Sequence, residues 1–379
     1  MPNFYLDGSL SFHSDPGDVK NRGIFARECC RNDSRDTTLR TGTPAQSGSP
    51  GMPLVVRRLL LETTDRMDTF FSSPLSYRVQ KTLSRSITLA GHGLHTGARS
   101  RLTLHAAAPG HGIVLERPET KLRVPAHFRC VVATAMATSL GDPADPTNRI
   151  ATVEHLLAAL FALGITNVLC VVEGPEIPIL DGSAAPFLDA ILDAGILLQH
   201  YSSPTLRILK PIKVYREGVV CELLPRPNLR LTTSIEFAHP CIGMQTFALD
   251  VTPGAFRSEI GPARTFGFRQ DLQRLERLKL ARGASLENVL AFDETAVLNP
   301  EGQRFPDECV RHKLLDALGD LALCGCSIEG EMVSYRGGHS MHLTLLQAVF
   351  QQRDRIQILP AEPLRAPAGD QPWAGLAAD

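Results

Sequence analysis

The sequence predicts an α+β protein built from two copies of one strand-and-helix unit. In each half of the chain, runs of alternating apolar and polar residues come before a helix that carries a histidine near its start. The spacing also repeats, because Ser183 follows His155 by 28 residues and His339 follows His312 by 27. If the halves are copies, the two helices can face each other across a domain interface, where pockets are common.

The first half is predicted to begin with two strands, residues 86–89 and 101–105, joined by the glycine-rich loop 91–97. A helix then begins near Thr152 and stops at Gly164, since glycine is a common residue after the last helical turn. The remaining elements of this half are a β-branched strand at residues 167–172, a tight loop at residues 181–183 and a second helix at residues 185–194.

The second half is predicted to repeat this order. Strands fall within residues 206–236 and 243–250, and a helix runs from His312 to Gly325. A strand, a glycine loop and another helix follow. The expected domains are therefore residues 77–204 and 205–352.

Both termini differ from the rest in composition. Residues 1–76 contain Ser, Thr, Asp, Gly and Pro without a period, which predicts a disordered extension or a translation start placed too far upstream. Residues 353–379 are rich in Pro, Ala, Gly and Asp and predict a loose tail.

Composition narrows the function. The 39 Lys and Arg residues balance 40 Asp and Glu residues, so bulk charge gives no reason to expect nucleic-acid binding, and recognition of an anionic substrate must be local. The nine cysteines form no CxxC pair and indicate free thiols in a reducing compartment. No signal-peptide core or apolar run of about 18 residues is present. We expect a cytoplasmic protein without a membrane span.

The strongest chemical signal is a stripe of polar side chains on the second predicted helix. His312, Asp316 and Asp320 recur every fourth residue, so an imidazole and a carboxylate can share one cation. The best third ligand is His155, and Glu154 stands beside it as a base. Two histidines, one carboxylate and a glutamate describe an open catalytic zinc site. Apolar residues fill the other side of the helix: Val310, Leu314, Leu318 and Leu321.

This set leaves alternatives open. A His and an Asp four residues apart are more often a solvated pair, so HxxxD alone is weak. Ferrous iron suits the same ligands as zinc.

Six segments together resemble one family, the UDP-3-O-acyl-N-acetylglucosamine deacetylases, which are zinc amidases of lipid A biosynthesis. The resemblance covers about residues 79–352. In chain order the segments are Gly93-Leu-His-Thr-Gly97, Thr152-Val-Glu-His155, Pro175-Glu-Ile-Pro-Ile-Leu-Asp-Gly-Ser-Ala-Ala-Pro-Phe187, Ala263-Arg-Thr-Phe-Gly-Phe268, Val310-Arg-His-Lys-Leu-Leu-Asp-Ala-Leu-Gly-Asp320 and Gly338-His339.

The resemblance implies two domains, each a β-sheet layered with helices, with the active site between the facing helix layers. It also implies a role for each matching residue. The metal ligands are His155, His312 and Asp316. The catalytic residues are the general base Glu154, the second acid-base residue His339, Asp320 that orients it, Thr265 against the developing oxyanion, and the nearby cation Lys313. The substrate-binding residues are His95, Phe266, Phe268 and Arg336.

Two features depart from better-known members. Arg336 stands where some have a lysine, so its contact with the nucleotide phosphates can differ. Residues 272–289 match the insert that encloses the acyl chain, but they are the least recognisable part.

The function that the resemblance implies is hydrolysis of the N-acetyl group of UDP-3-O-acyl-N-acetylglucosamine, giving UDP-3-O-acyl-glucosamine and acetate. The expected partner is then the acylated UDP-sugar, and no nucleic acid is expected. We expect peripheral membrane contact at most, and the enzyme is expected to be a monomer. One alternative is a metal-independent HxxxD acyltransferase, although Ala317 replaces the glycine usual after that aspartate. Another is an inactive sugar-nucleotide-binding protein, against which intact Glu154 and His339 argue.

Overall fold

This computed structural model describes residues 79–364, which contain both β-strands and α-helices. The predicted α+β class is confirmed. The predicted extension at residues 1–76 and residues 365–379 of the predicted tail lie outside the described residues.

The first half contributes small sheets and two long helices. Its α1 begins two residues after the predicted start and ends before Gly164, which adopts φ +69°. The elements of this half are β1 (Val79–Leu83), β2 (Ile87–His92), β3 (Arg99–Ala106), β4 (Ile113–Arg117), β5 (Leu122–Pro125), β6 (Val131–Ala133), β7 (Ser139–Asp142), β8 (Asp145–Ile150), α1 (Glu154–Leu163), β9 (Val168–Glu173), α2 (Ala185–Ala194) and β10 (Ile196–Ser202).

The second half holds the longest helix of the described residues. Its elements are β11 (Thr205–Ile208), β12 (Ile212–Arg216), β13 (Val219–Leu224), β14 (Arg230–Phe237), β15 (Gly243–Asp250), α3 (Pro253–Ala255), β16 (Phe266–Phe268), α4 (Leu272–Arg277), β17 (Leu290–Phe292), α5 (Glu308–Ala322), β18 (Ser327–Glu329), β19 (Glu331–Tyr335), α6 (His339–Gln351) and β20 (Ile356–Leu359).

The helix α5 begins one turn earlier than predicted. Its first residue is Glu308 rather than His312, and it ends at Ala322 rather than near Gly325. A carboxylate in the first turn stabilises a helix N-terminus, and Pro306 lies just before that turn. The ligand pair therefore lies inside the helix rather than at its frayed start.

The two five-stranded sheets have the same topology. Their orders are β2-β3-β9-β4-β5 and β12-β13-β19-β14-β15, so each places its first, second, fifth, third and fourth strands side by side. In each sheet the third and fifth strands are parallel, as in β4 with β9 and β14 with β19, and the other neighbours are antiparallel. The predicted duplication is thus present in the strand order.

The helices α1 and α5 pack against each other, and α5 also packs on β14 and β15 of the second sheet. Every residue of α1 except Phe161 is buried, because the helix packs on α5 and its leucines join one apolar cluster with residues of β3 and β9. A helix that is apolar nearly all round is expected to be buried in this way. Leu157 of α1 and Leu318 of α5 belong to one continuous apolar core.

The expected loose tail differs from the structure at its start. β20 pairs antiparallel with β11, and the amide of Leu364 donates to the carbonyl of His200 at 3.0 Å. Ile356 is buried in this added strand, so its burial and the pairing with β11 hold the strand against the second half. The division into domains at residues 77–204 and 205–352 stays an interpretation. Among residues 79–364, no helix is long and apolar enough to cross a membrane.

Candidate metal and acid-base site

Three predicted ligands meet where α1 crosses α5. His155 lies in the first turn of α1, and His312 and Asp316 lie one turn apart on α5. The Asp316 Oδ1 atom is 3.2 Å from Nε2 of His312 and 3.7 Å from Nε2 of His155. All three side chains are buried, and their donor atoms lie within 4.8 Å of one another. The structure therefore brings together residues that are far apart in the chain.

The chemistry of this donor set fits a divalent metal ion. The Nδ1 atom of His312 lies 3.0 Å from the carbonyl oxygen of Ala263, which accepts a hydrogen bond from it, and this contact orients the Nε2 atom toward Asp316. Burial, reinforced by His312, lowers the pKa of His155 to about 3, so this imidazole is neutral. Its buried Nδ1 has no hydrogen-bond partner among residues 79–364. Two imidazoles beside a carboxylate suit zinc or ferrous iron.

Lys313 pairs with the same carboxylate from its other side. Its Nζ atom lies 2.7 Å from Asp316 Oδ2. Burial alone would raise the pKa of Asp316, but Lys313 and His312 outweigh burial and hold that pKa well below its ordinary value. Asp316 is therefore ionised, with one oxygen facing the lysine and the other facing the two histidines.

Glu154 lies next to the proposed ligands without joining them. Its Oε2 accepts a hydrogen bond from the backbone amide of Thr138 at 3.1 Å, and its Oε1 is 3.9 Å from Nε2 of His339. Burial raises the pKa of Glu154 to about 8. A carboxylate with a raised pKa is a stronger proton acceptor than an exposed one.

His339 and Asp320 form a buried hydrogen-bonded pair. His339 Nδ1 lies 2.8 Å from Asp320 Oδ2, and the Thr138 hydroxyl donates to Asp320 Oδ1 at 2.6 Å. Burial lowers the pKa of His339, but the Asp320 carboxylate more than compensates and raises it to about 9. His339 is therefore protonated at neutral pH, with Nε2 directed toward Glu154.

A further residue of this network was not predicted. His342 also places its Nδ1 2.8 Å from Asp320 Oδ2. Its position three residues after His339, on the same helix face, was the available signal. Asp320, His339 and His342 form a second group of clustered donors, but both Nδ1 atoms are already paired with Asp320.

The loop that holds His312 also carries Thr265. Ala263 gives its carbonyl to His312, and two residues later Thr265 is anchored through its backbone, with its amide donating to Gly182 at 2.8 Å. Phe266 follows on β16, and its ring lies edge-on to His312 with 6.4 Å between centroids. Phe268 lies further along an aromatic cluster, 5.5 Å from the ring of Phe237.

The two other predicted substrate-binding residues lie in different surroundings. His95 is buried, and neither ring nitrogen has a hydrogen-bond partner within the described part of the chain. Its backbone amide donates to Glu176 at 3.0 Å, which fixes the loop. Arg336 adopts φ +55° just before the glycine loop and lies 3.8 Å from Glu236 rather than beside the proposed ligands.

The predicted insert at residues 272–289 contains α4 and a loop that holds the His95 segment. The amide of Arg282 donates to the carbonyl of His95 at 3.2 Å, and Gly283 donates to Leu94 at 3.0 Å. An open cavity of about 420 Å³ is lined by Glu276, Lys279 and Arg282. The insert thus lies at the edge of the loop that carries His95.

Comparison with known proteins gives one consistent match. A family model described as UDP-3-O-acyl N-acetylglycosamine deacetylase matches residues 80–351. Proteins named UDP-3-O-acyl-N-acetylglucosamine deacetylase are similar over most of their length. The protein from Myxococcus xanthus (strain DK1622) is 45% identical over 290 residues, 76% of this chain and 91% of that protein. The one from Brucella melitensis biotype 2 (strain ATCC 23457) is 43% identical over 285 residues, which are 74% of this chain and 99% of that protein. The one from Histophilus somni (strain 129Pt) is 41% identical over 287 residues, which are 75% of this chain and 93% of that protein.

Proposed function

The chain belongs to the UDP-3-O-acyl-N-acetylglucosamine deacetylase family, and from this membership we propose how its own residues carry out the reaction. It is a metal-dependent amide hydrolase of lipid A biosynthesis, and it removes the N-acetyl group of UDP-3-O-acyl-N-acetylglucosamine to give UDP-3-O-acyl-glucosamine and acetate. The comparisons give no support to a metal-independent acyltransferase or an inactive sugar-nucleotide-binding protein.

The observation that carries the proposed mechanism is the convergence of three buried donors beside a separate buried glutamate. His155, His312 and Asp316 would hold the ion, which we propose to be zinc. Ferrous iron is the alternative ion in the cell, because it suits the same donors. When bound, zinc lowers the pKa of water and polarises a carbonyl group.

Glu154 is the general base in this proposal. It takes a proton from the water that attacks the acetamide carbon, and its buried position beside the proposed ligands suits that task. The Thr138 amide holds one carboxylate oxygen, so the other is oriented toward His339. Loss of this proton leaves the attacking oxygen free to bond to carbon.

His339 is the general acid. Its Nδ1 is hydrogen-bonded to Asp320, so the proton that it can release is on Nε2. As the carbon–nitrogen bond breaks, that proton goes to the departing sugar nitrogen, which leaves as a free amine while the acetyl group becomes acetate. Asp320 is a positioning residue, since it fixes the ring and stabilises the imidazolium.

Thr265 and Lys313 supply positive potential for the oxyanion of the tetrahedral intermediate. The Lys313 ammonium is largely buried beside Asp316. Preorganised donors of this kind commonly provide the largest electrostatic share of acyl-transfer catalysis. The Thr265 hydroxyl would act in the same way from the 263–265 loop.

Substrate recognition falls to residues around this centre. We propose that Phe266 and His95 line the sugar and acyl region, that Phe268 extends the aromatic wall, and that Arg336 approaches the phosphates. Residues 272–289 would cover the acyl chain. The leucines exposed there support peripheral contact with a lipid surface: Leu272, Leu278 and Leu286.

We also propose a two-domain monomer, divided near residues 204 and 205, that works in the cytoplasm. The cysteines of residues 79–364 are all unpaired, as is usual in a reducing compartment.

One assay tests the function. The purified protein is incubated with UDP-3-O-acyl-N-acetylglucosamine, with and without a chelator, and acetate release is followed. We expect turnover that disappears on chelation and returns with zinc. Acetate release at an unchanged rate after complete metal removal would overturn the proposed mechanism. Ferrous iron in place of zinc in the restoration step determines which ion supports the higher rate.

A further inference from the structure

His342 is a buried side chain that the mechanism above does not use. It is 1% exposed and lies one helical turn after His339 on α6. Its Nδ1 is 2.8 Å from Asp320 Oδ2, the same oxygen and the same distance as for Nδ1 of His339. The Thr138 hydroxyl occupies the other carboxylate oxygen. One oxygen of Asp320 is therefore shared between two imidazole donors.

The surroundings of His342 hold its ring in this orientation. Its Nε2 lies 3.4 Å from the Ser334 hydroxyl on β19. Gly337 leaves the space for this contact, because an added β-carbon would stand 3.1 Å from His342 Nε2 and 2.8 Å from Cys221 Sγ. A buried donor held on both sides keeps its geometry and restricts the partner that it binds.

We propose that His342 is a positioning residue, which fixes the Asp320 carboxylate and limits how strongly Asp320 holds the proton of His339. The inference rests on the general-acid role proposed for His339. Two donors on one oxygen each receive a smaller share of its charge, so Asp320 orients His339 without retaining its proton too firmly. An acid that binds its proton more tightly transfers it more slowly to the leaving amine.

Other charged groups also face His339 and stay in place when His342 is changed. Glu154 approaches from α1 at 3.9 Å, and Asp316 lies close by on α5. His95, on the loop between β2 and β3, and His155 on α1 also interact with the charge of His339, and Cys221 on β13 lies beside His342. Because these contributions are common to every variant of position 342, a difference between variants reports on the shared oxygen.

Two substitutions separate the donor from the ring. His342→Phe keeps a ring of similar size without an N–H group, and His342→Asn keeps an N–H group without the ring. The zinc-loaded enzymes are compared by kcat and KM across pH. For His342→Phe we expect kcat to fall about tenfold with KM changed less than about twofold, and the alkaline limb of the rate profile to move up by about 0.5 to 1 pH unit. For His342→Asn we expect the limb to return to the wild-type position.

A third variant controls for packing alone. Leu345→Ala removes buried apolar volume from the same helix, and Leu345 is not part of the Asp320 network. It should lower the unfolding temperature without moving the alkaline limb. The inference would be overturned if the alkaline limb of His342→Phe coincided with that of Leu345→Ala. It would also be overturned if the alkaline limb of His342→Asn lay where that of His342→Phe lies.

Two further measurements keep the result interpretable. His339→Gln should abolish the alkaline limb, and a limb that remains would contradict the general-acid role of His339. If His339→Gln loses the limb but His342→Phe does not shift it, only the role proposed here for His342 is wrong. If His342→Phe does not fold, proton NMR of the wild-type holoenzyme should show two protected low-field imidazole N–H signals, and His342→Asn should lose one. A single such signal in the wild type contradicts the shared oxygen.

Discussion

Gly319 on α5 lies directly against the backbone of Glu154 on α1. A β-carbon added at Gly319 would overlap the Glu154 carbonyl oxygen and stand 2.9 Å from its Cα. Glycine inside a helix is about 1 kcal/mol less favourable than alanine, so its presence here requires a compensating gain. The gain is the close approach of the two helices at the level where His155 meets Asp316.

Gly319→Ala is therefore expected to separate the helices and weaken the metal site. We expect the zinc dissociation constant to rise at least about tenfold and the protein to lose about 1 to 3 kcal/mol of stability from overpacking. Zinc competition and denaturant unfolding measure the two effects. Gly254→Ala is the matched control, because nothing lies within 4 Å of a β-carbon there. Wild-type zinc affinity in Gly319→Ala would show that the close approach is not required.

Each proposed ligand is expected to be necessary for metal binding. His155→Ala, His312→Ala and Asp316→Ala should lose stoichiometric zinc, since removing one of three protein ligands leaves an incomplete site. Metal analysis of the purified proteins checks this. His105→Ala, which removes a histidine from β3, should keep its zinc. A zinc-replete His312→Ala enzyme at full rate would refute the ligand assignment.

Glu154→Gln should separate metal binding from turnover. The amide has nearly the same shape as the carboxylate and can still accept the Thr138 hydrogen bond, so zinc should remain bound. It cannot take a proton, and kcat should fall by about 10² or more. Metal content and steady-state rates on one preparation measure both. Loss of zinc together with activity would instead place Glu154 among the ligands.

The polar stripe on α5 was enough to predict that His312 and Asp316 are neighbours, because residues four apart lie on the same face of a helix. The meeting with His155 was expected from the repeated pattern and the family resemblance. Sequence spacing does not report the approach of two helices. The role of Gly319 depends on its contact with the backbone of Glu154 on another helix. The hydrogen bond from Thr138 to Asp320 joins residues 182 positions apart. The start of α5 was missed for a related reason, since Glu308 is held by buried Arg264 from a distant loop.

The pKa of His339 predicts how the stability of the metal-free protein depends on pH. In the folded protein this pKa is about 9, above the ordinary value of 6.5, so the folded state binds the proton more tightly than the unfolded state does. The protonated pair with Asp320 therefore stabilises fully below pH 6.5, and its contribution is lost as the pH rises toward 9. Glu154, with a pKa raised to about 8, acts with the same sign between pH 4.5 and 8.

Comparison with His339→Gln reports on the histidine together with its interaction with Glu154, because His339 lowers the pKa of Glu154. The unfolding free energy of wild type minus that of the variant should fall between pH 6.5 and 9 by up to about 3 kcal/mol, at about 1.4 kcal/mol per pKa unit. Denaturant unfolding of chelated protein at several pH values measures the difference. Asp320→Asn removes the carboxylate that raises the pKa and should flatten the fall in an otherwise intact His339 protein. A difference that stays constant or grows from pH 6.5 to 9 would mean that His339 does not hold its proton through Asp320.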